Sequence, residues 1–271
     1  MTGPPSVPFD RIAERYDETR GGVERGVRFA AVLDGYVAPG RVLEVGTGTG
    51  VVAAGLRARG HAVVGIDLSL PMIRLAATRV GSSVAQADAV ALPFPAAIAD
   101  TVVCVWVLHV VGEPVRAVDE MRRVLRPGGR LLVAAGGPQN ESDDEIDRIE
   151  APLRERRLGR DPPDQVIAWV EGAGMRLLDR ASTLGAFEDS PASAARRLEE
   201  RVYSWLWDIS DEEWSTTVQP AIEALRALPD PDGDRLRTHQ HAVLVFEKPV
   251  SAEGSRPPPR GRRPPGRGRS P

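Results

Sequence analysis

The sequence predicts an α/β protein with a seven-stranded, mostly parallel sheet flanked by helices, and an added helical lid or insertion before the last strand. Apolar strand-like runs alternate with amphipathic helical runs over residues 41–137, the pattern of a parallel sheet with helices on its faces. The strands are apolar almost throughout, as in Val102-Val103-Cys104-Val105-Trp106-Val107-Leu108, which fits burial on both sides. The first strand, Val42-Leu43-Glu44-Val45, runs into the glycine-packed turn Gly46-Thr47-Gly48-Thr49-Gly50, which opens a helix.

Taken in order, strands are expected near 41–45, 62–67, 83–87, 101–108 and 130–135, with helices near 51–59, 70–80 and 113–126 between them. Gly60 stops the first of these helices, Ser69 can N-cap the second, and Pro127-Gly128-Gly129 ends the third. After residue 137 the rhythm changes. A charged helical stretch covers 141–157, another helix 163–173, a sixth strand 175–184 and a seventh 241–247. Between these last two strands lies a long helical segment, roughly 190–228, carrying Tyr203, Trp205, Trp207 and Trp214. Residues 251–271, rich in Arg, Pro and Gly, have no apolar periodicity and are expected to be disordered.

With 271 residues and 42% hydrophobic content the chain can bury one good core. The net charge of −3 is unevenly placed: residues 251–271 carry six Arg against one acid, so the first 250 hold 29 basic and 37 acidic residues, a balance of −8. An acidic body argues against nucleic acid as an obligatory substrate. Cys104 is the single cysteine, which forbids an intramolecular disulfide and agrees with a reducing compartment. The first residues lack the basic segment and apolar core of a secretory signal. No stretch approaches the ~20 apolar residues that span a bilayer. The expectation is a soluble, cytoplasmic protein with no membrane partner.

A glycine turn of this kind can hold a dinucleotide or S-adenosylmethionine, because glycines admit close backbone approach and the following helix offers free N–H groups. The dinucleotide fingerprint Gly-x-Gly-x-x-Gly has Gly46 and Gly48, but Val51 stands at its third position. Glu44, Asp67 and Asp88 end the first three strands, on the edge where open parallel sheets bind ligands. Asp67, 17 residues after Gly50, is placed to accept two ribose hydroxyls. Asp88, 21 residues further on, can reach an adenine exocyclic amine. An acid after a strand also serves as an ordinary cap or turn residue.

Val42–Gly50, Gly65-Ile66-Asp67-Leu68-Ser69, Gln86-Ala87-Asp88-Ala89-Val90-Ala91-Leu92-Pro93-Phe94, Val107-Leu108-His109-Val110 and the segment Glu120 to Gly129 stand in one register. Over about residues 9–137 this arrangement resembles the class I S-adenosylmethionine-dependent methyltransferases, in the small-molecule branch that includes ubiquinone and menaquinone methyltransferases. The resemblance implies a Rossmann-like fold and S-adenosyl-L-methionine as cofactor. It implies binding by Glu44, Gly46, Thr47, Gly48 and Gly50, by Asp67, Leu68 and Met72, and by Asp88 and Ala89. In similar enzymes the segment upstream of the first strand folds over the cofactor, so residues 1–30 are expected to form a helical lid. Residues 31–250 are expected to form the methyltransferase domain, with its helical insertion at about 188–236. Tyr16 and Arg20, four apart, then share one helix face near the methionine portion.

Methyl transfer from a sulfonium is an in-line displacement, in which a protein aligns the partners and excludes water. Hydroxyl or amine acceptors can also need a general base. His109, at the end of the fourth strand, is the candidate base, since an unperturbed imidazole titrates near ~6.5. Its alternative role is to shape the pocket. His239 and His241 flank the seventh strand, where they can face the site but are more readily surface residues, and His61 lies on the opposite edge. Trp106, Tyr203 and Trp207 are candidates to line a pocket for a planar or lipophilic small-molecule acceptor. Aromatics of this segment can equally anchor the added helices as core. Four scattered histidines and one cysteine provide no metal-ligand spacing. RNA methylation, supported by the basic tail alone, and a non-catalytic S-adenosylmethionine-binding module are the alternative functions.

Overall fold

Alternate residues of a strand point to opposite faces, and here both sets are apolar, so the sheet must be covered twice. The computed structural model of the chain describes residues 8–136, 144–153 and 161–250. Seven strands form one sheet: β1 (Arg41–Val45), β2 (Ala62–Asp67), β3 (Val84–Gln86), β4 (Ala99–Val105), β5 (Leu125–Ala135), β6 (Arg176–Asp189) and β7 (Arg235–Glu247). Their order is β3-β2-β1-β4-β5-β7-β6. Strands β1 to β5 pair in parallel, and β7 is antiparallel to both β5 and β6. The helices are α1 (Tyr16–Arg20), α2 (Gly22–Asp34), α3 (Val51–Arg57), α4 (Leu70–Val80), α5 (Pro114–Val124), α6 (Glu145–Glu150), α7 (Pro163–Gly172), α8 (Pro191–Glu199), α9 (Asp211–Glu213) and α10 (Gln219–Arg226).

Leu43, Val45, Val102, Cys104, Leu131, Val133, Leu244 and Phe246 point to one face, where α5 and α7 bury Met121, Val124, Val166 and Val170. Val42, Val103, Leu132, Val243 and Val245 point to the other, beneath Phe29 and Leu33 of α2 and Val52 and Leu56 of α3. Each such side chain contributes about 1.5–3 kcal/mol when fully buried, so these two layers hold the sheet. Helix α2 reaches its layer by close approach to α3. A Cβ on Gly26 would stand 2.5 Å from the Val51 carbonyl oxygen, and one on Gly55 2.7 Å from the Ala30 Cβ.

The first five strands fall where the sequence places them, with differences of extent at β4 and β5. Strand β4 ends at Val105 because Trp106 takes a left-handed backbone, φ 54°, and Leu108–Val110 coils into a 3-10 turn. Helix α5 stops at Val124, and β5 begins at Leu125, ahead of Pro127. Strands β6 and β7 run far beyond the apolar segments that announced them. Pairing of β5 with β7 stops at Ala135↔Ala242, but β6 and β7 continue from Thr183↔His241 to Asp189↔Arg235. This ribbon turns Thr183, Asp189 and Arg237 inward, while Leu184 and Leu236 are 69% and 72% exposed. Its polar residues face inward and its leucines outward, the reverse of the usual strand pattern.

The helical segment expected over roughly 190–228 is divided into α8, a 3-10 turn at Ser204–Leu206, α9, a π-helical turn at Trp214–Val218 and α10. Ser190 and Ser210 cap α8 and α9 by accepting the Ser193 and Glu213 N–H groups, and Arg201 at φ 48° turns the chain between them. These pieces bury Ala194, Leu198, Leu206, Val218, Ile222 and Leu225 with Ile146 of α6 in a small core of their own. Of the helix expected over 141–157, the described part is α6 and a 3-10 turn at Ala151–Leu153. The disorder expected at 251–271 lies outside the described residues.

Gly26→Ala tests the α2–α3 approach. A helical Ala gains up to ~1 kcal/mol of propensity over Gly, but the new methyl meets backbone that cannot move alone, an overpacking cost of about 1–3 kcal/mol. A net loss of stability in chemical denaturation is expected. A gain would mean that the helices are not pinned at this contact.

Candidate functional site

The strand order reverses between β1 and β4, which opens a crevice beyond their carboxyl ends. At that point β1 delivers Gly46 with φ 71°, and a Cβ there would lie 2.2 Å from the Val107 Cγ2. The turn is tied to β2 by backbone and side chain together. The Thr47 N–H donates to the Ile66 carbonyl at 2.8 Å, and the Thr47 hydroxyl donates to Glu44 at 2.6 Å. Asp67 accepts the Gly48 N–H at 2.8 Å on one oxygen and the Ser69 N–H at 2.9 Å on the other. Burial raises the Asp67 carboxyl above its ordinary range, and these N–H groups pull it back.

Beyond the turn lies a cavity of about 1200 Å³. It is lined by Tyr16, Arg20, Gly46, Gly48, Asp67, Leu68, Met72, Asp88 and Ala89, and at its other end by Trp106, His109, Tyr203 and Trp207. Gly48 turns an open side, with no atom within 4 Å of where a Cβ would sit. Asp88 folds back to accept the Val90 N–H at 3.0 Å. Three expected cofactor residues do not line the cavity. Glu44 is 2% exposed behind the turn, Thr47 is buried against Gly65, and Gly50 sits at φ 78° ahead of α3, close to Ala76. The physical reason is the alternation of strand and turn: Glu44 points under the α2–α3 side, so its carboxylate braces the turn from behind.

Two segments distant in sequence meet over the cavity. Asp17 accepts the Thr49 hydroxyl at 2.6 Å and pairs with Arg79, and Asp10 accepts the Ser69 hydroxyl at 2.6 Å. These bonds fix residues 8–20 to the glycine turn and to the start of α4. From the other side come Trp207, edge-on to Phe9 at 4.9 Å, and Glu200, paired with Arg15 at 2.8 Å. Arg20 lies between the two, donating to the Val202 carbonyl at 2.9 Å with its guanidinium 4.8 Å from the Tyr203 ring. Burial lowers the Arg20 pKa, and its Nε has no hydrogen-bond partner.

His109 stands in the 3-10 turn after β4, with Nε2 3.3 Å from the Ser204 Oγ and Nδ1 3.8 Å from Asp161 Oδ2. Asp161, 2% exposed, accepts the Gly136 N–H on its other oxygen. Neither Ser204 nor Asp161 is singled out by the sequence. Asp161-Pro162-Pro163 reads as an ordinary helix start, and only the fold brings it 52 positions back to His109. His239 and His241, expected at the surface, instead line the cavity because the ribbon turns them inward, with His241 4.9 Å from the Trp106 ring. His61 pairs with Asp34 on the opposite edge, as its position implies. Trp205 lines the cavity and stacks on Tyr203 at 5.6 Å, whereas Trp214 lies under Arg201 with the insertion. Among the described residues no three His, Cys, Asp or Glu side chains group as metal ligands, and no helix is long and apolar enough to cross a membrane.

Burial pushes the Glu44 carboxyl up to about 8, with the Thr47 hydroxyl pulling it down and the Asp67 charge adding to the rise. An unfolded Glu titrates near ~4.3, so the native state holds a proton that the unfolded chain gives up, and this group's contribution falls as pH rises between the two values. Glu44→Gln cannot ionise. Its melting temperature relative to the native chain is expected to rise from about pH 5 to about pH 8 and then level off. A difference independent of pH would show that Glu44 is not protonated in the fold.

A profile described as a methyltransferase domain matches residues 43–133, the stretch from β1 into β5. The ubiquinone/menaquinone biosynthesis C-methyltransferase of Syntrophotalea carbinolica is 39% identical over 137 residues, covering 46% of this chain and 58% of that protein. The chain therefore spans little more than half the length of that relative. The demethylmenaquinone methyltransferase of Thermobifida fusca is 30% identical over 209 residues, covering 73% of this chain and 78% of that protein. Among solved structures, a possible histamine N-methyltransferase from Thermotoga maritima superposes with a TM-score of 0.55 at 18% identity. That match covers 89% of this chain and 98% of the other, a likeness of fold. Sharing 30% identity over 209 residues with such an enzyme, and matching a methyltransferase-domain profile over residues 43–133, this chain belongs to the class I S-adenosylmethionine-dependent methyltransferases.

Proposed function

We propose that this protein transfers the methyl group of S-adenosyl-L-methionine to a small organic acceptor, with Asp67 at the cofactor end of the cavity and His109 at the acceptor end. The observation that carries this reading is the single cavity of about 1200 Å³ joining those two ends. Its size suits two small molecules rather than one.

The donor set fits the cofactor. Asp67, oriented by two N–H groups, would hold the ribose hydroxyls, and Asp88 the adenine amine. Arg20 has a buried guanidinium nitrogen with no partner, an open donor for a carboxylate. Tyr16 lines the same end of the cavity. When bound, the cofactor supplies a methyl group already activated on a sulfonium. The chain's own residues then align and enclose. Residues 8–20 and 200–208 exclude water over the cavity, and Phe9, Tyr203, Trp205 and Trp207 give it the apolar lining of a site for a planar or lipophilic acceptor. The relatives named for quinone biosynthesis make a carbon acceptor as admissible as oxygen or nitrogen.

His109 takes the acceptor's proton on Nε2, the nitrogen that Ser204 now faces. Asp161 lies by the opposite nitrogen and holds the ring through its charge, stabilising the imidazolium that forms. Asp161 is therefore assigned a positioning role, acting through His109 from the cavity wall.

Asp67→Ala is expected to weaken S-adenosylmethionine binding by about 1–3 kcal/mol in calorimetry, and unchanged affinity would remove this cofactor placement. His109→Gln is expected to lower kcat by about 10²-fold or more, and Asp161→Asn to lower it in the same direction. Both should leave cofactor affinity and the acceptor KM near the native values. A loss confined to KM would make His109 a wall of the pocket rather than its base.

A further inference from the structure

The pocket wall formed by the N-terminal helices carries more positive charge than the cofactor can use. Arg20, Arg25 and Arg28 all line the cavity. Arg20 and Arg25 flank one ring, their guanidinium carbons 5.7 and 5.6 Å from the centre of Tyr16. The proximity is felt: after burial, the charge of Arg25 is among the causes that lower the Arg20 pKa. Arg25 also lies 4.8 Å over the ring of Trp106, whose backbone is left-handed and whose ring makes edge contacts with Phe29 and His241.

Arg28 extends from α2 across to the ribbon and lies on β6 at Gly185, where a Cβ would meet its Nε at 2.9 Å. A glycine at that register gives the guanidinium room. Other cavity arginines are neutralised within the protein: Arg197 by Asp189, and Arg237 by Asp189 and Asp147. Among the described residues no carboxylate makes a hydrogen bond or ion pair with Arg25 or Arg28. Glu24, which lines the same wall one turn from Arg28, stays outside ion-pair distance of both. Half-buried guanidinium groups crowded on one wall repel one another, and an anion between them relieves that cost. The cofactor brings one carboxylate, which Arg20 accounts for. Arg25 and Arg28 are left.

We propose that the methyl acceptor is an acid, a planar molecule bearing a carboxylate or phosphate that Arg25 and Arg28 bind while its frame lies along Trp106. This identification of the acceptor class rests on the methyl-transfer reading above. His241, beside Trp106, closes the same end of the pocket, and Arg rather than Lys suits the task because its planar fork binds such groups bidentately and stacks on rings.

The test is calorimetric titration of the full chain with 2-naphthoate, 2-naphthyl phosphate and neutral 2-naphthamide, each with and without saturating S-adenosylhomocysteine. One of the two anions is expected to bind at least about tenfold more tightly than the amide, and which one does so distinguishes carboxylate from phosphate. In the R25Q/R28Q double variant that preference should vanish while S-adenosylhomocysteine still binds as in the native chain, which also reports that the variant is folded. Equal binding of all three probes, binding of none, or a preference that survives in the double variant would overturn the proposal. Failure of S-adenosylhomocysteine to bind the native chain would instead sink the methyl-transfer reading, and the titrations without it would still decide whether this wall selects anions.

Discussion

The first turn of the sheet has to pass through a space with no room for a side chain. Gly46 stands where a Cβ would penetrate Val107, and Thr47 sits where a Cβ on Gly65 would meet its hydroxyl at 2.7 Å. Because the turn lies this low, its backbone can be bonded to β2 through Ile66 and Asp67. The Gly48 N–H, together with that of Ser69, orients the Asp67 carboxylate, and Gly48 stays open to the cavity. The same turn carries the Thr47 hydroxyl that donates to Glu44 and the Thr49 hydroxyl that latches to Asp17. Much of the site therefore descends from the packing of one strand end.

Three acids at three strand ends look equivalent in the sequence and are not equivalent in space. Asp67 and Asp88 face the cavity. Glu44 faces away from it, and burial leaves it protonated near neutral pH, as a brace between β1 and the turn. Glu44 shares with Val42 the face under α2 and α3 and stands level with Gly65 of β2. Asp67 lies two positions further along the sheet, past the last residue of β1, where the cavity begins.

The enclosure of the cavity is built differently from its floor. The floor consists of short, ordered connections between neighbouring strands. The roof is two segments nearly 190 residues apart, joined by Arg15 to Glu200, Arg20 to Val202 and Phe9 to Trp207. Two of these three contacts, the exposed Arg15–Glu200 pair and the Phe9–Trp207 ring contact, are worth about 1 kcal/mol each, against the continuous apolar layers beneath. A roof held so much more weakly than its floor is suited to opening for exchange of small molecules. The ribbon of β6 and β7 supplies the remaining wall and brings histidine and arginine chemistry to it.

The sheet, its first five strands, the glycine turn and the acids that end the first three strands are legible in the sequence alone. These features are local: apolar runs, glycine and strand ends announce themselves within a few residues, and the order of Gly46, Asp67, Asp88 and His109 follows from chain direction. The reach of β6 and β7 was not legible, because their inward residues are polar and their outward ones include Leu184 and Leu236. Nor were the breaks of the insertion, where Arg201 turns left-handed under no visible glycine or proline signal. Only the tertiary structure decided that Asp161 and Ser204 stand on either side of His109, that Glu44 is buried, and that Arg25 and Arg28 face the cavity without carboxylate partners. Those are meetings between elements far apart in the chain, set by how helices and ribbon pack on the sheet, and no spacing within a single segment encodes them.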